Sequence, residues 1–239
     1  MGEMNIIITM GGIGSRFREA GYTVPKYMIE AKGKTLFEWS MDSLLDYNSH
    51  VDKYVFVVRK EDNAYEFIMH QTKKYGLSNI EIIELDYLTD GQATTAMLGV
   101  EKCDENKAIM IYNIDTYVEP YEMKYEDIKG DGHLPCFHAD GTHWSFARTD
   151  ENGVVVEVRE KVRISDNCTL GAYYFSTGAL YKKIYQEFYS DAANMERNEK
   201  YVAPMYNYMI EKGMEVTISN IPYDKVHVLG TPEELKAFC

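Results

Sequence analysis

Short apolar runs rich in β-branched residues alternate with segments of helical periodicity through the first half of the chain. The apolar runs have the length and composition of buried strands: NIIIT, KYVFVV, IEIIEL and AIMIYN. The segments between them have the apolar spacing of helices: TLFEWSMDSLLDY, EDNAYEFIMHQTKKYG and QATTAMLGVEK. This alternation predicts a parallel sheet that is covered by helices on both faces.

The second half of the chain has a different pattern. Short strands are predicted at GHLPCFHAD, HWSFART, GVVVEVRE and LGAYYFS, and the turn sequence DENG joins the second strand to the third. Helices follow from about Gly178 to Ser190 and over YVAPMYNYMIEKG, then strands at EVTISNI and KVHVL. Thr231-Pro232 opens a last helix with Glu234 as its capping-box partner. The predicted fold is a single α/β domain over residues 1–239, a Rossmann-like three-layer sandwich whose central sheet is mainly parallel with antiparallel additions.

Composition narrows the classes of function. The chain of 239 residues carries a formal net charge of −13, which argues against a general nucleic-acid or anionic-membrane partner. An anionic ligand would therefore need a local cluster of basic groups. Four widely spaced cysteines indicate reduced thiols in a cytoplasmic protein rather than a disulfide framework or a zinc site. The start of the chain lacks a basic segment and is expected to form the first strand rather than a signal peptide, and no apolar stretch approaches membrane-spanning length.

The glycine-rich stretch after the first strand fits two familiar phosphate-binding motifs poorly. A dinucleotide fingerprint requires a third glycine where Phe17 stands, and no convincing helix is predicted before Pro25. A P-loop would use Gly33-Lys34-Thr35 as its end, but Met28 occupies the position of its first glycine. The simpler interpretation of that second segment is a tight turn that leads into the helix at Thr35.

A third interpretation takes the whole stretch GGIGSRFREAGYTVPK as a triphosphate site. Glycine lets the backbone approach a ligand closely and turn N–H groups toward phosphate oxygens. Arg16 adds a planar set of donors, and Lys26 adds a point charge that the preceding proline holds in place. The alternative is a glycine-rich turn with solvated charges, since glycine clusters are common in turns.

This stretch resembles the signature loop of the nucleotidyltransferases that make sugar nucleotides from a sugar 1-phosphate and a nucleoside triphosphate. Later segments resemble the same family in the same order: DGQATTAML, YNIDTYV, EVREKVRISD, LGAYYF, EKYVAPMYN and LGTPEEL. The resemblance is especially close to small capsule and lipooligosaccharide members. It implies a nucleotide-binding part over about residues 1–116 and an acceptor-binding part over about residues 117–239.

The resemblance also implies roles for particular residues. Arg16 and Lys26 would be the catalytic cations, and Asp115 would bind Mg²⁺ at the end of its strand. The nucleotide would meet a set of loop and helix-start residues: Gly11, Gly12, Gly14, Gly91, Gln92 and Ala93. The acceptor would meet Glu160, Lys161 and Gly171. Asp90 is expected to cap the helix behind the base.

One position departs from the family pattern. Many relatives carry a second metal-binding aspartate where this chain has Val228, and the neighbouring His227 is expected to be structural. A metal site with two carboxylates is therefore in doubt on sequence grounds, and Asp224 is a weak substitute.

The resemblance leaves the substrates open. The nucleotide would be CTP, UTP or dTTP, and a sugar 1-phosphate is the default acceptor. A cytidylyltransferase that acts on a non-sugar phosphate, such as phosphocholine or phosphoglutamine, is the main alternative. A GT-A-like glycosyltransferase and a non-catalytic nucleotide sensor are further alternatives. A homodimer is an expectation from relatives alone.

Overall fold

The structure is a computed structural model that describes residues 3–239. The prediction that the start of the chain forms the first strand also covers residues 1 and 2, which lie outside the described residues. The strands are β1 (Met4–Met10), β2 (Glu30–Ala31), β3 (Lys34–Thr35), β4 (Val51–Arg59), β5 (Ile80–Leu85), β6 (Ala108–Asn113), β7 (Thr116–Val118), β8 (Gly132–His138), β9 (Ser145–Thr149), β10 (Val155–Glu160), β11 (Asn167–Thr169), β12 (Ala172–Phe175), β13 (Val216–Ile221) and β14 (Val226–Val228). The helices are α1 (Ser15–Glu19), α2 (Leu36–Asp42), α3 (Tyr65–Lys74), α4 (Gln92–Val100), α5 (Gly178–Phe188), α6 (Met205–Glu211) and α7 (Pro232–Phe238).

Ten of these strands form one central sheet. Its order is β10-β9-β11-β8-β12-β6-β1-β4-β5, and β13 pairs in parallel with β8. The strands β6, β1, β4 and β5 are parallel to one another, whereas β12 joins β6 antiparallel and β8 to β11 continue in antiparallel pairs. The predicted fold class is therefore confirmed. β14 and β7 form a separate antiparallel pair.

Side chains of the central strands alternate between two cores, which explains the all-apolar runs in the sequence. Ile6 and Ile8 of β1 point into one core with Phe37 of α2 and Ile68 of α3. Ile7 lies in the other core, with residues of α4, α5 and α6. A strand that is buried on both faces needs apolar residues at consecutive positions, so the sheet is the middle of three layers.

The chain reverses its direction of travel across the sheet at β1. From β1 it proceeds outward to β4 and β5, and then returns to β6 on the other side of β1. Ligands of open α/β sheets bind in the crevice at the carboxyl ends of strands at such a switch point. The glycine loop follows β1 directly and Asp115 follows β6, so the fold brings these two sequence features to the same edge.

Local structure differs from the predictions in a few places. The prediction that no helix precedes Pro25 is wrong, because the short helix α1 begins within the glycine loop. The predicted turn at Gly33-Lys34 is confirmed, because β2 and β3 form a hairpin there and Thr35 caps α2 with a complete capping box. α2 and α5 end earlier than the apolar pattern suggested, at Asp42 and Phe188. Within residues 3–239, no helix has both the length and the apolar character to cross a bilayer.

A buried histidine makes the stability of this fold sensitive to pH. His133 of β8 is 1% exposed, and its ring nitrogens lie 2.8 Å from Thr217 Oγ1 and 3.0 Å from Ser219 Oγ. Burial, with a smaller contribution from Lys129, lowers the pKa of His133 to about 4. As the pH falls, His133 is therefore protonated in the unfolded chain before it is protonated in the folded one. This difference favours the unfolded chain, so stability is lost between about pH 6.5 and 4.

We expect the His133→Gln variant to lose about 2 kcal/mol less stability than the wild type between pH 7 and pH 5. Urea denaturation of both proteins at several pH values measures this difference, and the comparison removes the contribution of the other titrating groups. Equal losses in the two proteins would contradict the buried neutral state of His133.

Candidate active site

The glycine loop carries unpaired backbone donors beside a cavity. Among residues 3–239, the backbone N–H groups of residues 12–16 have no acceptor. Gly14 adopts the left-handed conformation, with φ of 65°, at the N-cap of α1, where a residue with a Cβ would be strained. The loop lines a cavity of about 440 Å³, which we call the glycine-loop cavity. Consecutive free N–H groups at the exit of a strand suit an anionic ligand such as a phosphate chain.

Lys26 and Asp115 meet on the wall of this cavity. Lys26 Nζ lies 2.7 Å from Asp115 Oδ2, and both side chains are partly exposed to solvent, at 20% and 28%. Pro25, with φ of −53° and ψ of 143°, directs the chain into the short turn that carries the lysine. A cation and a carboxylate that are distant in sequence are thus placed beside the free N–H groups of the loop.

Arg16, the other cation of the predicted site, lies in α1. Its side chain is exposed and makes no hydrogen bond or ion pair with any residue from 3 to 239. It does not line the glycine-loop cavity. The structure therefore brings Lys26, but not Arg16, into contact with Asp115.

The segment around Gly91 lies at the far side of the same cavity. The Gln92 side chain donates hydrogen bonds to Thr9 and to Asn113, so it is held between the ends of β1 and β6. Ala93 is fully buried, and its backbone N–H donates to Lys200 O at 2.9 Å. Of the three residues predicted to contact the nucleotide here, Gly91 and Gln92 line the cavity and Ala93 does not.

The predicted capping role of Asp90 is wrong. Gly91 is the N-cap of α4, and no side chain caps that helix. The Asp90 carboxylate instead pairs with Lys200 Nζ at 2.8 Å and accepts a hydrogen bond from Thr94. Asp90 thereby ties the segment around Lys200 to the start of α4.

The absence of a side chain at Gly91 lets the backbone of Lys200 lie close to the start of α4. We therefore expect Gly91→Ala to destabilise the fold. Gly91 has φ of 138°, and a Cβ there would lie 2.4 Å from Lys200 O. Backbone strain and overlap with a backbone atom together should cost about 3 kcal/mol or more of unfolding free energy in a urea titration. Gly12→Ala is the matched control, because nothing lies within 4 Å of its Cβ position. Equal stability of the two variants would contradict this packing.

The predicted acceptor residues Glu160 and Lys161 do not line the glycine-loop cavity, but both are held by neighbouring side chains. Glu160 is 6% exposed, accepts a hydrogen bond from Ser145 Oγ, and lies 3.1 Å from Lys161 Nζ. Lys161 Nζ also donates to Tyr201 OH at 2.9 Å. Burial alone lowers the pKa of Lys161, but the hydrogen bond to Tyr201 and the charge of Glu160 outweigh it, so the pKa is raised. Lys161 is therefore a fixed, fully protonated cation at neutral pH.

Gly171 lies where β12 meets the end of β6. A Cβ at this glycine would lie 2.4 Å from Asn113 Nδ2, and Asn113 N donates to Gly171 O at 3.0 Å. Asn113 also lines the glycine-loop cavity. The predicted acceptor residue Gly171 therefore does not line the cavity itself, but it contacts a residue that does.

A second cavity of about 680 Å³ lies near the carboxyl end of β8. We call it the aromatic cavity, because Phe137, Trp144 and Tyr223 line it. The Phe137 ring packs edge-on against Trp144 with centroids 5.1 Å apart, and it stacks with Tyr223 at 6.4 Å. The remaining lining residues are His138, Ala139, Asp140, His143, Arg163, Asp166, Val226, His227, Val228, Glu234, Ala237 and Phe238.

The residues of β14 contribute no carboxylate to either cavity. Val228 pairs with Thr116, and His227 stacks on Tyr117 with ring centroids 5.2 Å apart, which fits its expected structural role. Asp224 is exposed in a short turn and lines neither cavity. In the described part of the chain, no group of three or more His, Cys, Asp or Glu side chains could hold a metal ion.

The sequence prediction missed three features of the site: Asn113, the contact of Lys200 with the start of α4, and the carboxylate of Glu234 beside Asp115. Asn113 was detectable, because it precedes Asp115 at the end of an apolar strand. The segment around Lys200 has no periodic pattern, so only the folded chain shows that it contacts α4. The sequence pattern at Thr231 assigns Glu234 a capping role, so the pattern alone gives no sign of its position beside Asp115.

Together, these features define an α/β protein whose sheet has, at its switch point, a cavity suited to an anionic ligand. Residues 5–217 match the family described as nucleotidyl transferase. A solved structure of a nucleoside-diphosphate-sugar pyrophosphorylase from Vibrio cholerae RC9 superposes with a TM-score of 0.90 at 36% identity, with 98% of each chain covered. The chain therefore belongs to the nucleotidyltransferase family and is a nucleotidyltransferase enzyme.

More distant structures share the fold. The inositol-1-phosphate CTP transferase from T. maritima matches with a TM-score of 0.77 at 18% identity, covering 98% of this chain and 92% of the other. The CTP:phosphocholine cytidylyltransferase from Streptococcus pneumoniae matches with a TM-score of 0.74 at 16% identity, covering 99% and 97%. The comparison with curated proteins gives no match.

Proposed function

We propose that this enzyme joins a nucleoside triphosphate to a phosphorylated small-molecule acceptor and releases pyrophosphate. Sugar 1-phosphate is the default acceptor, and CTP, UTP and dTTP are the candidate nucleotides. The observation that carries the proposal is the Lys26–Asp115 pair beside the free N–H groups of the glycine loop. The similarity to a nucleoside-diphosphate-sugar pyrophosphorylase supports a sugar acceptor. A role in capsule or other surface polysaccharide synthesis is part of the proposal and follows from the sequence resemblance.

The chemistry needs little beyond positioning and charge neutralisation. The acceptor phosphate is already an anion, so its oxygen attacks the α-phosphorus without a general base. The bond from the α-phosphorus to the bridging oxygen breaks, and the electron pair leaves with pyrophosphate. The main obstacle is repulsion between two polyanions, which fixed cations and backbone N–H groups reduce.

Each cation has a distinct task in this proposal. Lys26 and the loop N–H groups bind the triphosphate in the glycine-loop cavity. Lys161, held by Glu160 and Tyr201, binds the acceptor phosphate. Arg16 is exposed and unpaired within residues 3–239, so it is free to turn toward the outer phosphates.

The residues at Asp115 also suit a divalent cation. Asp115 Oδ2 pairs with Lys26, but Oδ1 makes no hydrogen bond within residues 3–239. Carboxylate oxygens are the ligands that Mg²⁺ prefers, and one or two of them suffice when phosphates complete the shell. When bound, Mg²⁺ would neutralise charge on the phosphate oxygens.

The aromatic cavity favours a second candidate, a cytidylyltransferase whose acceptor carries a positively charged group. Its aromatic rings and the carboxylates of Asp140 and Asp166 provide surfaces that attract a cation. Arg163 offsets part of this charge, since it pairs with Asp166 at 2.7 Å. Phosphocholine and phosphoglutamine are acceptors of this kind.

A substrate panel tests the proposal. The protein is incubated with Mg²⁺ and each of CTP, UTP, dTTP, ATP and GTP, together with sugar 1-phosphates, phosphocholine or phosphoglutamine, and released pyrophosphate is measured. Release that requires both a nucleotide and an acceptor supports the proposal, and the productive acceptor separates the two candidates. A glycosyltransferase or a nucleotide sensor releases no pyrophosphate with any pair, and that result would overturn the proposal.

A further inference from the structure

Asp115 has a second carboxylate beside it that comes from the last helix of the chain. The β14–β7 pair places Val228 opposite Thr116, and Leu229 N donates to Asp115 O at 2.8 Å. This register holds Gly230 against Asp115. A Cβ on Gly230 would lie 3.4 Å from Asp115 Oδ2 and 3.5 Å from Glu234 Oε2, so both oxygens border the same small space.

The Glu234 carboxylate lacks the partner that its sequence position predicts. Thr35 and Glu38 form a complete capping box, in which Glu38 Oε2 accepts from Thr35 N at 2.8 Å. At α7 only half of the box forms: Glu234 N donates to Thr231 Oγ1 at 3.2 Å, and the return bond to the Thr231 N–H is absent within residues 3–239. The predicted capping box is therefore wrong in this second half.

The same carboxylate oxygen is hidden from solvent. Glu234 Oε2 is buried and has no hydrogen-bond partner in the described chain. A buried carboxylate oxygen without a donor is unfavourable, and a neighbouring carboxylate makes it more so. Lys26 already offsets part of the charge at Asp115 Oδ2, but no donor reaches Glu234 Oε2 within residues 3–239. A divalent cation between the two carboxylates would satisfy this Glu234 oxygen.

Glu234 and Asp115 also line different cavities. Asp115 lines the glycine-loop cavity and Glu234 lines the aromatic cavity. β14 supplies no carboxylate of its own, since its sequence is Val-His-Val.

We propose that Glu234 is the second carboxylate ligand of the divalent cation that Asp115 binds. This assignment rests on the proposed function, because a metal ion is expected there only if the chain handles phosphates. Glu234, in the first turn of α7, thus supplies the second carboxylate that β14 lacks.

Binding of Mn²⁺ to the full chain tests the assignment without any turnover. The free Mn²⁺ signal in electron paramagnetic resonance gives the affinity of the wild type and of two variants. We expect Glu234→Gln to weaken Mn²⁺ binding by about tenfold or more. Glu233→Gln should bind Mn²⁺ as the wild type does, since Glu233 is exposed on the same helical turn. Circular dichroism confirms that each variant is folded, and Glu234→Asp, which keeps a shorter carboxylate, should recover part of the affinity.

Two results would overturn the assignment: a wild type that binds no Mn²⁺, or a Glu234→Gln variant that binds Mn²⁺ as tightly as the wild type. In the second case the carboxylate is a buried structural group. The substrate panel is independent of this experiment. If the wild type releases pyrophosphate but Glu234→Gln binds Mn²⁺ as tightly as the wild type does, only the role of Glu234 is wrong. If no pair of nucleotide and acceptor gives pyrophosphate, the proposed function itself is wrong.

Discussion

Replacing Lys26 with methionine should reduce turnover by about a thousandfold, with little change in the fold. Methionine retains the apolar length of the side chain but removes the ammonium group that lies 2.7 Å from Asp115. In the proposed reaction this charge offsets repulsion where the phosphates gather, and a single preorganised donor of this kind is worth about 10²- to 10³-fold in rate. Steady-state measurement of pyrophosphate release, with the substrates that the panel identifies, gives the effect.

Lys34→Met is a suitable control for Lys26→Met. Lys34 belongs to the Gly-Lys pair of the rejected P-loop interpretation, and it pairs with Asp42 at 2.6 Å outside both cavities. Its removal should leave turnover near that of the wild type. If Lys34→Met lost activity and Lys26→Met retained it, the assignment of the triphosphate site would be wrong.

Asp115→Asn should have an effect of similar size. The substitution keeps the shape of the side chain but removes the charge that pairs with Lys26 and that suits a divalent cation. We expect turnover to fall by about a thousandfold, and the Mg²⁺ concentration needed for half-maximal rate to rise. Titration of the rate with Mg²⁺ measures both quantities.

Asp224→Asn provides the comparison for Asp115→Asn. Asp224 was the only substitute ligand that the sequence suggested, and the structure places it in an exposed turn where it lines neither cavity. The rate and the Mg²⁺ dependence of this variant should match the wild type. Normal activity in Asp115→Asn would contradict the account of the site.

The sequence was sufficient to predict the fold because its strongest signals are local and consistent. Apolar strands such as Ile6–Ile8 are buried on both faces, so their composition alone distinguishes them from helices. The glycines after β1 and the acid after β6 then had to meet at one edge of a parallel sheet. This much of the candidate site follows from topology.

The remaining parts of the site depend on contacts that leave no periodic signal. β7 and β14 have only three residues each, yet their pairing carries Glu234 to Asp115. The contact between Lys200 and Gly91 involves backbone atoms and has no side-chain pattern. The sequence pattern predicted a capping box at Thr231, whereas the structure has the complete capping box at Thr35 and only half of one at Thr231.

The central claim is that the glycine loop and Lys26 hold a triphosphate at the exit of β1. A crystal structure of the protein with Mg²⁺ and an α,β-methylene analogue of the nucleotide selected by the panel tests it most directly. The account predicts phosphate oxygens within hydrogen-bonding distance of the N–H groups of residues 12–16 and of Lys26 Nζ. A triphosphate bound elsewhere, with Lys26 still paired only to Asp115, would contradict it.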